Sequence, residues 1–279
     1  MKTQIILGQK TLIGRSVQSI ILLYAITIVL SVSLGFFQSS YAQNFHERPL
    51  QKLIDCPTAG GPIMHGWQFE LNAFANEGLL FGIDIGLFPR FTVGVSYGGT
   101  GIIGFAKPAW NPQPGLNSAY RLLNESITFP AVAIGYNNQG RGFWDEDLER
   151  YQYIAKGFYG VASKNFILGT VGELSAHLGV NNNPSENKDK GIDAFIGFDY
   201  RMTNQTAIVT EYSFAWNDFK GGEAIGKGKG YLNSGFRWAI GRQFAIDFIF
   251  RDILVNQDKD MRGGKQIGRE IRIHYLEMF

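Results

Sequence analysis

The chain has 279 residues, of which 45% are hydrophobic and 14% aromatic, with 35 glycines and a formal net charge of +2. This composition describes a folded protein that is unusually rich in glycine and aromatic side chains. The near-balanced charge, without a basic stripe, excludes a nucleic-acid-binding domain, and the single cysteine excludes an intramolecular disulfide framework.

The amino-terminal residues predict a secretory signal peptide over residues 1–42. Three basic residues precede an uncharged, mostly apolar run over residues 20–37. Ser40 and Ala42 supply the small side chains that a signal peptidase requires, so we predict cleavage after Ala42. The run is also about long enough to span a bilayer, which leaves an uncleaved membrane anchor as the alternative.

The segment 43–65 is polar at first and then rich in glycine and proline, and it has neither helical nor strand periodicity. We therefore predict a periplasmic lead-in. Asp55 stands directly before Cys56, where a lipoprotein requires a small residue, so this cysteine is interpreted as an incidental thiol rather than a lipid anchor.

Residues 66–279 alternate between apolar and polar side chains and never take up a helical period, which predicts a single all-β domain. Twelve strands are expected, and the face of the sixth is ambiguous. They lie at about 67–73, 81–86, 91–97, 116–122, 132–136, 156–164, 174–180, 192–199, 208–216, 232–238, 244–251 and 269–279.

The connections between these strands alternate between short turns and long polar loops, apart from one short hairpin at Asn76-Glu-Gly78. An even number of antiparallel strands with both ends on one side, tight turns there and long loops opposite, is typical of an outer-membrane barrel. A soluble sandwich has no reason to segregate its loop lengths. The sequence therefore predicts an up-and-down transmembrane β-barrel, located in the bacterial outer membrane.

The terminal segment carries a candidate assembly signal, in which Ile271, Ile273 and Tyr275 alternate toward a final Phe279. This pattern resembles the signal by which the barrel-assembly machinery recognises outer-membrane barrels, so that machinery is an expected partner. Glu277 departs from the pattern. At the periplasmic rim a charge on the lipid face costs about 0–1 kcal/mol and is tolerable, whereas at the midplane it costs several and the assigned register would be wrong.

The two faces of the predicted strands differ in character, since one is apolar and suits lipid while the other carries charges of both signs. The candidate lumen-lining residues are Glu173, His177, Asp193, Asp199, Glu211, Arg237, Asp247, Arg251 and Arg272. Such a lumen either cross-links itself through ion pairs and is partly plugged, or stays filled with water; the pattern leaves both open, as it does the oligomeric state.

Three patterns suggest site chemistry without completing it. The stretch 221–228 resembles a phosphate-binding loop in the spacing of its glycines and lysine. Gly228, however, replaces the Ser or Thr that would bind magnesium, and a strand follows where the motif needs a helix. The stretch 258–263 begins like a calcium loop, with arginine where an acidic ligand belongs. Ser175 and His177 share a face, as in a lipase, but no third member is identifiable.

We therefore predict a non-enzymatic barrel without a cofactor. Two alternatives come from other classes, namely an outer-membrane hydrolase acting on lipid or glycan, and a secreted soluble β-sandwich that binds a ligand.

Several phrases resemble those of the YjbH-type outer-membrane proteins and related uncharacterised bacterial barrels. They are Leu53–Gly60, Arg90–Gly99, Trp110–Pro114, Lys156–Tyr159, Gly230–Trp238 and Arg269–Tyr275. The resemblance implies a role in exopolysaccharide production and export, as a channel or an accessory component with surface polysaccharide as a partner. It implies no catalytic residue.

Overall fold

The computed structural model describes residues 51–60, 65–169, 172–186, 191–218, 225–257 and 266–278. No helix in that part of the chain is long and apolar enough to cross a bilayer. The predicted signal peptide and Phe279 lie outside the described residues. The strands are β1 Gly66–Phe74, β2 Gly78–Phe88, β3 Phe91–Thr100, β4 Ala109–Trp110, β5 Gly115–Leu123, β6 Ala131–Asn137, β7 Arg141–Asp145, β8 Arg150–Tyr153, β9 Gly157–Ile167, β10 Glu173–Asn182, β11 Ile192–Arg201, β12 Thr206–Ser213, β13 Tyr231–Ile240, β14 Phe244–Arg251 and β15 Gly268–Met278.

Twelve of these strands form a closed barrel in which each lies beside its predecessor and successor. Closure comes from β1 and β15, which pair antiparallel from Gly66 with Met278 to Ala73 with Ile271. The short β4 pairs with the end of β3, and β7 and β8 form a separate hairpin. The predicted up-and-down barrel of about twelve strands is thereby confirmed, because each expected strand corresponds to one barrel strand.

The strand register places charged side chains inside the barrel and apolar ones outside. Arg237 pairs with Asp247 on the inward face, while their neighbours Phe236 and Phe248 pair on the outward face. Phe248 is 41% exposed and Asp247 3%. Because successive side chains of a strand point to opposite faces, this one register fixes the whole β13–β14 pair.

The face of the sixth predicted strand, β9, is settled by burial. Tyr159, Val161 and Ser163 are buried and point inward, whereas Phe158 is exposed on the outside. The alternation was obscured in the sequence because Gly160 and Ala162, on the outward face, have almost no side chain.

Glu277 lies at the end of the barrel that carries the short turns, where a charge is tolerable, and the assigned register therefore stands. It pairs with Trp67 at the start of β1. Its carboxylate accepts hydrogen bonds from Gln243, in the turn between β13 and β14, and from the Tyr275 hydroxyl at 2.6 Å. We call this end of the barrel the short-turn end and the opposite one the long-loop end.

Residues 51–60 form a small hairpin inside the barrel, which we call the lumen hairpin. Its two arms are joined by the bridge between Lys52 and Pro57 and by a 2.9 Å bond from the Leu53 amide to the Cys56 carbonyl. Leu53 and Cys56 are both 0% exposed. The prediction of a lead-in outside the barrel is therefore wrong for these ten residues, because their apolar side chains are buried by the lumen wall.

A second hairpin, β7–β8, comes from the long connection between β6 and β9. We call residues 141–153 the mouth hairpin. It folds over the long-loop end, where Phe143 and Tyr151 are buried and Arg150 pairs with Asp218 of the loop that follows β12. The two hairpins enter the barrel from opposite ends.

Candidate functional site: the filled lumen

The structure places all nine predicted lumen residues on the inward face of the barrel. Eight are buried, and Glu173 is half-buried. They do not form one ring. Instead they fall into three kinds of group. In one the residues bind each other, in another they bind the lumen hairpin, and the rest do neither.

The most compact group lies on β13, β14 and β15. Arg237 donates two hydrogen bonds to Asp247, from Nε at 2.6 Å and from a terminal nitrogen at 2.5 Å. His274 Nε2 lies 2.8 Å from the same carboxylate. Two parallel bonds from a planar guanidinium fix both side chains, so this part of the wall is rigid and its charges are compensated.

Glu211 holds the tip of the lumen hairpin. Its Oε2 accepts hydrogen bonds from three successive backbone amides, those of Ile54 at 3.0 Å, Asp55 at 2.9 Å and Cys56 at 2.8 Å. Its Oε1 accepts one from Asn233 at 2.8 Å. Successive N–H groups directed at one point form an anion-binding concavity, and here the barrel wall supplies the anion.

Asp55 is the ionic anchor of the same tip. Its carboxylate accepts hydrogen bonds from Arg251 and from Arg141, the latter at 3.1 Å, and Arg272 lies 3.7 Å away. Burial alone raises the pKa of Asp55, but the Arg251 and Arg141 guanidinium groups outweigh it and hold that pKa well below its usual range. Asp55 is therefore ionised at every physiological pH.

Two further contacts fix the arms of the lumen hairpin. Lys52 Nζ lies 2.5 Å from Glu70 of β1, and the Ala59 amide donates a 2.8 Å hydrogen bond to Ser163 of β9. The hairpin is thus bound to strands on different sides of the barrel, and it blocks the middle of the lumen.

A separate polar group lies toward the short-turn end. His177 Nδ1 is 2.7 Å from Ser163 Oγ, and His177 Nε2 is 2.9 Å from Asp199. The neighbour predicted for His177 was Ser175, but Ser175 Oγ is buried without a hydrogen-bond partner among the described residues. The structure therefore joins His177 to a serine on the adjacent strand, a contact that depends on strand register and is invisible in the sequence.

The space that remains follows the opposite wall, along β2, β3, β5 and β6. This wall cavity runs from Arg90 and Arg121 at the short-turn end to Gln139 and Arg141 at the long-loop end. Its charged lining residues are Lys52, Arg90, Arg121, Arg141 and Lys156 against Asp55, Glu70 and Asp84.

The balance of charge in the wall cavity is positive, for two reasons. Asp55 and Glu70 are already engaged by cations, and among the described residues neither Arg90 nor Arg121 forms an ion pair. An anion in this cavity gains favourable electrostatic interactions that a cation does not.

Sequence reasoning missed Lys52, Asp55 and Arg141, which belong to the two hairpins. One signal was present: Leu53-Ile54-Asp55-Cys56 places three apolar residues around one acid inside an otherwise polar segment. A buried charge needs a partner of opposite charge. An acid among apolar residues that are themselves buried therefore indicates that a cation elsewhere in the chain binds it.

No protein-family model matches the chain, and no curated protein does. Among solved structures, the chain is similar to the KdgM porin, with a TM-score of 0.43 and 9% identity, covering 75% of this chain and 98% of that one. It is also similar to the NanC porin, with a TM-score of 0.42, 6% identity, and coverage of 76% and 99%. A third similar structure is the outer membrane protein Omp33 of Acinetobacter baumannii, with a TM-score of 0.41, 10% identity, and coverage of 75% and 96%.

Proposed function

We propose that this protein is a non-enzymatic outer-membrane barrel whose lumen is a narrow channel for small anionic solutes, gated by the lumen hairpin. Its location is supported by the outer surface of the barrel, which exposes Trp238, Phe248 and Phe250 side by side with many other large apolar side chains. A water-soluble protein rarely exposes so continuous an apolar surface. In lipid that surface is already covered, and the closed sheet leaves no edge strand.

The observation that supports the channel function is that the lumen hairpin fills only part of the lumen and leaves a cavity along one side. The tip of the lumen hairpin is bound by Glu211, Arg251 and Arg272 of β12, β14 and β15, while the wall formed by β2, β3, β5 and β6 keeps a cavity that reaches toward both ends of the barrel. Because that cavity is lined by an excess of cations, it favours anions.

The proposed substrate size follows from the lumen hairpin. A small solute fits beside the seated hairpin, whereas a glycan chain needs the hairpin to leave the lumen. The role in surface-polysaccharide export that the sequence resemblance suggests is therefore proposed only for a state in which the contacts of Glu211 and Asp55 are broken.

Planar-bilayer recording of the refolded protein tests the channel. Under a KCl gradient, we expect a reversal potential that indicates chloride preference. We expect Arg121→Glu to reduce or reverse that preference, because it changes the charge of the wall cavity by two units. Lys107→Glu makes the same charge change on an exposed loop residue and is expected to leave selectivity unchanged.

The proposal fails if the protein conducts no ions even when the lumen hairpin is released, or if cations are preferred. Equal shifts for Arg121→Glu and Lys107→Glu would show that the wall cavity is not the ion path.

One observation favours a second candidate, an outer-membrane hydrolase. Ser163, His177 and Asp199 have the distances of a nucleophile, a base and an acid that orients the base. Ser163 Oγ already accepts a hydrogen bond from the Ala59 amide, and this bond links Ser163 to the lumen hairpin. Hydrolysis of a soluble ester that is lost in Ser163→Ala and kept in Ser126→Ala would favour this candidate over the channel.

A further inference from the structure

The turns at the short-turn end fall into two groups on different sides of the barrel. The turns β2–β3, β5–β6 and β9–β10 follow one another around the barrel, and their described residues expose large apolar side chains. The turns β11–β12 and β13–β14 consist of Met202-Thr-Asn-Gln205 and Gly241-Arg-Gln243, which are mostly polar. We call the first group the apolar rim. Its most exposed apolar side chains are those of Phe88, Leu123, Ile127, Phe129 and Ile167.

Ile127 shows the character of the apolar rim most clearly. It lies in the loop between β5 and β6, and its side chain is 99% exposed. A single exposed apolar residue is ordinary on a protein surface, whereas several on adjacent turns form a patch that calls for a binding partner. Since the protein covers almost none of Ile127, only something outside this chain can remove that side chain from water.

The loop that presents Ile127 is fixed to the end of β9 by polar contacts. The Glu125 carboxylate accepts hydrogen bonds from the main-chain amide of Asn165 at 2.9 Å and from its side chain at 2.8 Å. Lys164 Nζ lies 3.2 Å from Glu125 and donates to the carbonyls of Ser126 and Ile127. The two charges at the base of the loop therefore compensate each other.

The main chain of the same loop also binds within the protein. The Ser126 amide donates to the Phe129 carbonyl, and the Phe129 amide donates to Ser126 Oγ, both at 3.0 Å. Polar groups that lie in lipid need partners inside the protein because water does not supply them there. The loop thus places its polar groups on one another and leaves Ile127 and Phe129 at the surface.

The apolar rim is continuous with the outward wall of the barrel. The ring of Phe88, at the β2–β3 turn, stacks on Phe91 with centroids 6.5 Å apart, and Phe91 contacts Tyr120 of β5 at the same distance. Tyr120 is exposed on the outward face. Arg90, the charged residue of that turn, lines the wall cavity instead. A surface that covers the wall therefore extends over the rim without meeting a polar boundary at these rings.

We infer that the apolar rim is a membrane-binding surface, inserted among the acyl chains of the phospholipid leaflet at the short-turn end. This inference rests on the proposed location of the barrel in a membrane. It adds that the turn tips of one side lie in lipid while those of β11–β12 and β13–β14 lie in water, so the barrel is tilted. A lipid surface fits better than a protein partner, because Glu125 and Lys164 are paired with each other and the rim continues the lipid-facing wall.

Spin labels at three positions test the inference in phosphatidylcholine vesicles. The labels are attached to Ile127→Cys in the apolar rim, Asn204→Cys in the polar β11–β12 turn and Phe248→Cys on the outward wall, each in a Cys56→Ala background. Ile127, Asn204 and Phe248 are all exposed, so the labels displace little packing. The measurement compares collisions with oxygen, which concentrates in lipid, with collisions with a nickel chelate, which stays in water.

We expect the ratio of oxygen to nickel collisions at Ile127→Cys and Phe248→Cys to exceed that at Asn204→Cys at least fivefold. A ratio at Ile127→Cys equal to that at Asn204→Cys overturns the inference, and lipid exposure at Phe248→Cys would then show that the barrel still lies in the membrane. Shielding of Ile127→Cys from both reagents would indicate a protein partner and would also overturn it. Contact of Phe248→Cys with water would instead refute the proposed location.

Urea-dependent refolding in the same vesicles provides a second measurement without labels. We expect Ile127→Asn to lower the folding equilibrium constant at least fivefold, because lipid no longer covers an apolar side chain at that position. Asn204→Ser changes a turn residue of the polar side and is expected to leave the constant unchanged. Because the protein itself covers almost none of Ile127, equal constants for Ile127→Asn and the unmodified protein would overturn the inference.

Discussion

Nε of Arg141 donates a 3.1 Å hydrogen bond to Oδ1 of Asp55, and this contact joins the mouth hairpin to the lumen hairpin. The two elements enter the barrel from opposite ends, so the contact is the point where they meet. Each hairpin therefore stabilises the seated position of the other, and a change at either end of the barrel affects both.

Asp55→Asn is expected to release the lumen hairpin, because it leaves the guanidinium groups around Asp55 without their shared anion. Removing one partner of a buried ion pair costs about 3–5 kcal/mol. Cys56 provides a natural reporter, since it is the sole cysteine of the chain and is 0% exposed. We expect maleimide to label Cys56 at least tenfold faster in Asp55→Asn than in the unmodified protein.

The control for that experiment is Glu146→Gln, which neutralises an exposed acid in the turn of the mouth hairpin. Its labelling rate should equal that of the unmodified protein. If Asp55→Asn also leaves the rate unchanged, the ion pairs of Asp55 do not hold the hairpin in place.

Glu211→Ala is expected to increase the single-channel conductance, because three amides at the hairpin tip lose their acceptor. A buried polar group left without a partner costs about 1–3 kcal/mol. Glu211→Gln retains an acceptor oxygen and should produce a smaller increase. Conductance that is the same in Glu211→Ala and Glu211→Gln would indicate that charge, rather than hydrogen bonding, holds the tip.

Glu186 gives the loops at the long-loop end a dependence on pH. Burial raises its pKa to about 7 from 4.5, even though its carboxylate accepts hydrogen bonds from the amides of Tyr151 and Ala155. The protonated form is therefore favoured in the folded loops. Their stability is greatest below about pH 4.5 and falls as the pH rises to about 7, by roughly 3 kcal/mol at most.

Hydrogen exchange of the Tyr151 and Ala155 amides measures this effect. Protection in the unmodified protein should be greater at pH 5 than at pH 8, after correction for the intrinsic exchange rate. Glu186→Gln imitates the protonated form and should remove most of the difference. A Glu186→Gln protein with the original pH dependence would assign it to another group.

Ile273→Lys and Glu277→Leu together test the position of β15 in the bilayer. Ile273 lies midway along β15, between Leu71 of β1 and Ile246 of β14, where a lysine on the lipid face costs about 2–4 kcal/mol. Glu277 is at the short-turn end, so Glu277→Leu should change stability by under about 1 kcal/mol. Urea-dependent refolding in liposomes measures both, and a large effect at Glu277 with a small one at Ile273 would contradict the assigned depth.

The barrel was predictable because its signal is local. Alternation with a period of two, as in Phe244-Ala-Ile-Asp-Phe-Ile-Phe250, identifies a strand and both of its faces without knowledge of its neighbours. The alternation of short and long connections then predicts an up-and-down order of the strands with both ends of the barrel on one side.

The contents of the lumen were not predictable, because they depend on contacts between residues far apart in the chain. Asp55 binds Arg251, which lies 196 residues further along the chain on β14, and no pattern near Asp55 indicates that partner. The pairing of His177 with Ser163 rather than Ser175 depends on the register between β9 and β10.

The lumen hairpin has a consequence for the order of assembly. It precedes every barrel strand in the chain, yet the residues that hold its tip lie on β12, β14 and β15, the carboxyl-terminal part of the wall. The arms of the hairpin can bind β1 and β9 earlier, but its tip has no partners until the last strands have formed. We therefore expect burial of Cys56 to mark the completion of the barrel.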